Sequence, residues 1–293
     1  MASSEVDQKY LGRLARAVEG DNPILSSTLF KILGLSLRLS DKLVEVKKQR
    51  KPDATLHENI MRILWLAREG LKMLQEYVIP FVTNCVELKV LAYKLRASFY
   101  HIFVLFRNQP RVSNMPDWDP DAVPADRGKD MHGADDHQHP MHHSLEGGPV
   151  GPPPGFEAPV SARSLSFLLP AKDYLPTAHQ YFEEAAQLAD ALLWGSHSLR
   201  LSVKTEYAAF LYECVHDANA SRTLARNTIN EVYEATEGMD DDMFRDACEL
   251  VTVLGKMMRR GLGSNNTLHS KAQVSHSASS PGATPPVGME NPI

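Results

Sequence analysis

Apolar residues in this chain recur at spacings of three and four over long stretches, with almost no alternation of period two. Ala178, Tyr181, Phe182, Ala185, Leu188, Ala189 and Leu192 show the pattern well. Such spacing follows the 3.6-residue turn of a helix and not the pleat of a strand, so this stretch reads as a helix packed along one side. Leu199, Val203, Tyr207, Phe210, Leu211 and Cys214 continue it in a second helix, with Gly195-Ser196 ending the first and capping the next. Asp217-Ala218-Asn219 breaks that helix. A third, carrying Leu224, Ile229, Val232 and Tyr233, is expected to stop at Gly238 as a C′-type glycine. Asp240, Asp241 and Asp242 then put negative charge at the start of a last helix, where the helix dipole favours it.

The N-terminal part has the same grammar. A short helix is expected over 4–18, a longer one over 25–50 that Lys51-Pro52-Asp53 stops, and another over 55–78 ending before Pro80. The segment 87–106 is apolar nearly all round (Val90, Leu91, Tyr93, Leu95, Phe99, Ile102, Phe103), which predicts a central, buried helix. Helices joined by short loops pack as antiparallel neighbours. The expected fold class is therefore all-α, an antiparallel bundle of about eight to nine helices.

Two stretches fall outside this pattern. Residues 107–163 hold ten of the 19 prolines and five of the 12 histidines, and the tail from 263 is rich in Ser, Pro and Gly. Both have too little apolar surface to offset the entropy of ordering, so the reading is of two helical halves, 1–106 and 164–262, around a disordered insert and before a disordered tail. The insert's His132, His137, His139, His142 and His143 make a weak metal site at most, since metal binding needs fixed geometry. Pro152-Pro153-Pro154 is a low-specificity polyproline signal.

Composition limits function. A formal net charge of −5 argues against a general nucleic-acid binder, and no run of about 18 apolar residues suggests a membrane span. The three cysteines (Cys85, Cys214, Cys248) lie far apart and read as buried thiols of a reducing compartment, which gives a cytoplasmic expectation, open to nuclear entry. There is no Gly-rich phosphate loop, HExxH, GxSxG or coherent Cys/His pairing, so neither catalysis nor a cofactor is expected.

The order and wording of the helical segments resemble the 14-3-3 family. Ser221–Val251 (SRTLARNTINEVYEATEGMDDDMFRDACELV) parallels that family's penultimate helix, acidic turn and final helix without a gap. His197-Ser198-Leu199-Arg200-Leu201 resembles its His-Pro-Ile-Arg-Leu, and Phe210-Leu211-Tyr212-Glu213 its Phe-Tyr-Tyr-Glu. Glu87-Leu88-Lys89-Val90 and Lys94-Leu95 are similar to its Glu-Ser-Lys-Val and Lys-Met. The resemblance covers roughly 25–106 and 170–260. It implies a bundle with a concave groove for phosphoserine or phosphothreonine peptides, and dimerisation through the N-terminal helices, although this N-terminal part is shorter by more than ten residues.

Fixed positive charge is what a phosphate needs, and guanidinium adds bidentate geometry. Lys31 and Arg38 are seven residues apart, hence on one helix face, and Lys42 extends that face by a turn. The resemblance makes Lys31 and Arg38 groove cations, with Lys94 and His101 on the opposite wall. His101 and Ile102 stand where the family has an Arg-Tyr pair, and imidazole is a weaker, pH-dependent phosphate ligand. Glu206 and Met257 stand where it has two peptide-gripping asparagines, while Glu213 keeps its glutamate. Glu206 is expected in a salt bridge, and Met257 as apolar lining. The expectation is an adaptor for phosphorylated or acidic segments of other proteins, as a homo- or heterodimer. The alternative is a helical interaction scaffold that kept the fold and lost phosphate dependence.

Overall fold

The computed structural model describes residues 4–48, 54–82, 85–112 and 169–260. These form an all-α bundle of eight helices: α1 Glu5–Ala17, α2 Pro23–Lys48, α3 Ala54–Tyr77, α4 Val86–Arg107, α5 Leu175–Leu192, α6 Ser198–Glu213, α7 Ala218–Glu234 and α8 Asp241–Arg259. A short 3-10 turn, Ile79–Phe81, follows α3. The disordered insert and tail expected from composition fall on residues outside these ranges, apart from the insert's first six residues.

α4 is the hub, as its all-round apolarity predicts. It packs on α3, α5, α6 and α1, and it buries Leu88, Val90, Leu91, Leu95, Phe99, Ile102 and Phe103. Antiparallel contacts fix the C-terminal half. Lys204 of α6 meets Asp190 of α5 at 2.6 Å, and Tyr207 meets His179, fourteen and twenty-eight residues apart in sequence. Ser221 of α7 donates to the Ala208 carbonyl at 2.7 Å, a bond that seals α7 onto α6. Arg96 spans α4 and α5, pairing with Glu184 at 2.5 Å with its guanidinium over the Tyr181 ring.

α1 lies across the bundle. Its apolar side (Val6, Tyr10, Leu11, Leu14, Ala15) is buried, and its polar side ties it to distant helices. Arg13 pairs with Glu87 of α4, Lys9 with Asp246 of α8, and the Tyr10 hydroxyl with Ser198 of α6. Ser4 and Asp7 cap its start reciprocally, satisfying two backbone donors that would otherwise be orphaned.

Several boundaries differ from the sequence reading for local reasons. The cap of α6 is His197, whose Nδ1 accepts from the Leu199 amide, and not Gly195-Ser196. Gly195 serves packing instead, since a Cβ there would sit 2.5 Å from the Glu231 carbonyl oxygen of α7. α7 ends at Glu234, four residues before Gly238, which is therefore not its C′ residue. α4 continues to Arg107, and the residues beyond it join the two halves. Asn108 Oδ1 accepts from the amides of Tyr174 and Leu175, and Gln109 donates to the Lys172 carbonyl. Among the cysteines, Cys214 is buried as expected, whereas Cys85 is half-buried and Cys248 is exposed.

Candidate functional site

The residues singled out from sequence divide into two places. Lys31, Arg38 and Lys42 of α2 share one groove, of about 860 Å³, between α2 and α3. Arg62 of α3 brings a fourth cation to it. Lys42 is paired with Glu45 at 2.6 Å, whereas Lys31, Arg38 and Arg62 form no ion pair with another described residue. Asp41, Glu45 and Glu69 put three carboxylates on the rim, so the positive charge is local and not a uniform field. The floor is apolar, from Leu35, Leu66 and Met73, and Trp65 stands half out of it at 48 % exposure. A groove of this kind can hold an anionic group against guanidinium and ammonium donors while an adjoining apolar side chain lies on Trp65.

Lys94 and His101 lie elsewhere, inside the bundle. The Lys94 side chain is wholly buried and donates to Asp7 of α1, with Glu206 of α6 at 3.2 Å. Ser202 donates to the other Asp7 oxygen at 3.0 Å, and Ser98 donates to Glu206 at 2.8 Å. Burial by itself pushes the Lys94 ammonium down, but the two carboxylates outweigh it and its pKa is raised. Burial works against the Glu206 charge too, yet the Lys94 ammonium and then the neighbouring His101 imidazole, among the described residues, hold its carboxyl well below the usual range. His101 Nδ1 is 3.5 Å from Glu206, and its ring packs edge-on against Phe182 and Phe210. This cluster is a buried polar network joining α1, α4 and α6, in which the cation is already shared by two carboxylates of its own chain. Lys94 and His101 do not share a cavity with Lys31 and Arg38.

The other residues of the expected opposite wall are also displaced from it. Ile102 is in the core. Met257 is buried with Ala208, Ala209, Ala225 and Leu254 in a small cluster of α6, α7 and α8. Glu206 makes the expected salt bridge, but in the interior. Glu213, half-buried, faces Arg260 at 3.5 Å. Sequence reasoning missed Arg62 and Trp65, although their spacing with Leu66 and Glu69 on one face of α3 was there to read.

Among the described residues no group of His, Cys, Asp and Glu is placed to hold a metal ion, and no helix is long and apolar enough to cross a membrane. No family model matches the chain, and no curated protein matches it either.

Proposed function

We propose that the protein is a non-catalytic adaptor that takes a phosphorylated or acidic segment of a partner protein into the groove between α2 and α3. The observation that carries this reading is the convergence of Lys31, Arg38 and Arg62, none with a carboxylate partner among the described residues, beside the exposed Trp65. Three such cations within one groove repel one another, and an anionic ligand relieves that repulsion. Trp65 and the apolar floor supply the contact area that surface charge pairs alone do not, since exposed ion pairs contribute little by themselves. The 14-3-3-like order of segments supports an adaptor role, with the anion site on the α2–α3 side of the bundle.

A second reading, a scaffold that needs no phosphate, draws on Asp41, Glu45 and Glu69. These carboxylates repel a doubly charged phosphate more than a single carboxylate. Matched sets of phosphorylated, acidic and neutral peptides, titrated into the full chain at two ionic strengths, separate the two. The adaptor reading expects the phosphorylated and acidic members to bind more tightly than the neutral one, with affinity falling as salt rises. Equal, salt-independent binding of all members leaves the scaffold, and binding of neither anionic member removes the adaptor.

A further inference from the structure

Charges in the α2–α3 groove are ordered along its length, and the order restricts what fits. Lys31 and Arg38 share one face of α2 seven residues apart, so their stems stand about 10 Å apart along the helix axis. α3 packs antiparallel to α2 after the short connection 49–53, so residues equally far from that connection lie level. On this register Glu69 falls between Lys31 and Arg38, Trp65 is level with Arg38, and Arg62 lies about one turn beyond. Asp41 stands near the level of Arg62. Lys42 and Glu45, paired with each other at 2.6 Å, close the far end. The groove therefore presents a cation, then a carboxylate, then two cations with a carboxylate beside them.

We propose that the occupant is an extended segment of a partner protein with two anionic side chains three residues apart. One anion sits on Lys31 and the other between Arg38 and Arg62, with an apolar side chain on Trp65. This rests on the groove reading and names the segment that reading leaves open. From Lys31 to Glu45 the lined face of α2 is about 21 Å long. An extended chain covers about 10 Å in three residues and about 20 Å in six. A helix displaces about 2,000 Å³ over the same length, more than twice the 860 Å³ of the groove, so it rests on the rim without entering. At Gly34, between the two seats, a Cβ would meet nothing within 4 Å, which leaves room for the backbone of the segment.

Glu69 and Asp41 make the spacing selective. An anion placed between the two seats faces Glu69, and one placed beyond the second seat faces Asp41. A continuous acidic run is repelled at those points, while two separated charges of the same sum are not.

Isomeric peptides of one composition test the spacing, titrated into the full chain by anisotropy. Each carries two glutamates and one leucine among neutral residues, with the glutamates adjacent, three apart or seven apart. The isomer with a spacing of three is expected to bind at least about fivefold more tightly than the adjacent one at low ionic strength, the size of one good exposed ion pair. Lys31→Gln is expected to bring the two isomers together, and Glu69→Gln to narrow the gap by strengthening the adjacent one. Phosphoserine in place of glutamate is expected to keep the same order. Equal affinity for the adjacent and three-apart isomers, a preference that survives Lys31→Gln, or tightest binding of the helical spacing of seven would overturn the proposal and leave the groove reading in place. Binding of no isomer would remove both.

Discussion

The Lys94 ammonium of α4 is held by the Asp7 carboxylate of α1, a buried ion pair between residues 87 apart in sequence. It makes α1 part of the bundle and not an appendage, and it occupies the cation that the family resemblance had offered to a ligand. Removing one member of such a pair leaves a charge without its partner in the interior. Asp7→Ala is expected to cost about 3 kcal/mol, the lower end of the range because Glu206 still faces Lys94 at 3.2 Å. Chemical denaturation of the two proteins side by side measures this, and a loss near zero would mean that the network relaxes without the carboxylate.

Acid should act on the same network. The carboxyls of Glu206 and Glu87 both titrate below their ordinary value of 4.5 in the folded protein. For Glu87 the main cause is its bond with His197, opposed by partial burial. A carboxyl with a depressed folded pKa contributes stability above its unfolded pKa and loses it as pH falls through the folded one. Unfolding free energy is therefore expected to decline from about pH 4.5 downward, and Glu206→Gln to flatten that decline. An identical acid slope in wild type and variant would assign the effect to other groups.

Close packing makes two glycines unlike each other. A Cβ on Gly70 of α3 would sit 2.5 Å from Cζ of Phe99, whose ring is buried in α4 and has nowhere to move. Gly70→Ala is expected to destabilise by about 1–3 kcal/mol through overpacking. At Gly255 of α8 the same substitution meets nothing within 4 Å, so Gly255→Ala should gain up to about 1 kcal/mol from helix propensity alone. Thermal melts of the pair should move in opposite directions.

Where the end of α4 meets the start of α5, Asn108 is one of the joining side chains. Asn108 Oδ1 accepts from Tyr174 N at 2.5 Å and Leu175 N at 3.1 Å, and thus serves the start of α5 from the end of α4. Asn108→Ala leaves those donors without that acceptor and is expected to cost about 1–2 kcal/mol. Amide exchange at Tyr174 and Leu175 should accelerate. Unchanged protection there would show that the joint is held by the Gln109–Lys172 backbone bond instead.

Much of the fold was legible because helix period and all-round apolarity are local signals. The stripe from Ala178 to Leu192 and the buried character of α4 could be read directly, with ends within a few residues. Stops were less legible. α6 ends with no glycine, the turn passing through His216 at φ 60°, while Gly195 and Gly238 do not play the roles their type suggests. The site was the hardest part to read. A helix face can be read from spacing, so Lys31, Arg38 and Lys42 came together. Which neighbour that face meets is a tertiary fact, so Arg62 and Trp65 were missed. Whether a lysine such as Lys94 faces a ligand or a carboxylate of its own chain depends on a residue as remote as Asp7, and no local pattern records that.

The groove account is tested most directly by the affinity of acidic and phosphorylated peptides for the full chain and for Arg62→Glu, followed by anisotropy. Arg62 is exposed and makes no ion pair with a described residue, so its reversal should leave the fold alone. A weakening of at least about tenfold is predicted, equivalent to about 1.4 kcal/mol. Peptides that bind wild type and Arg62→Glu alike would contradict the account.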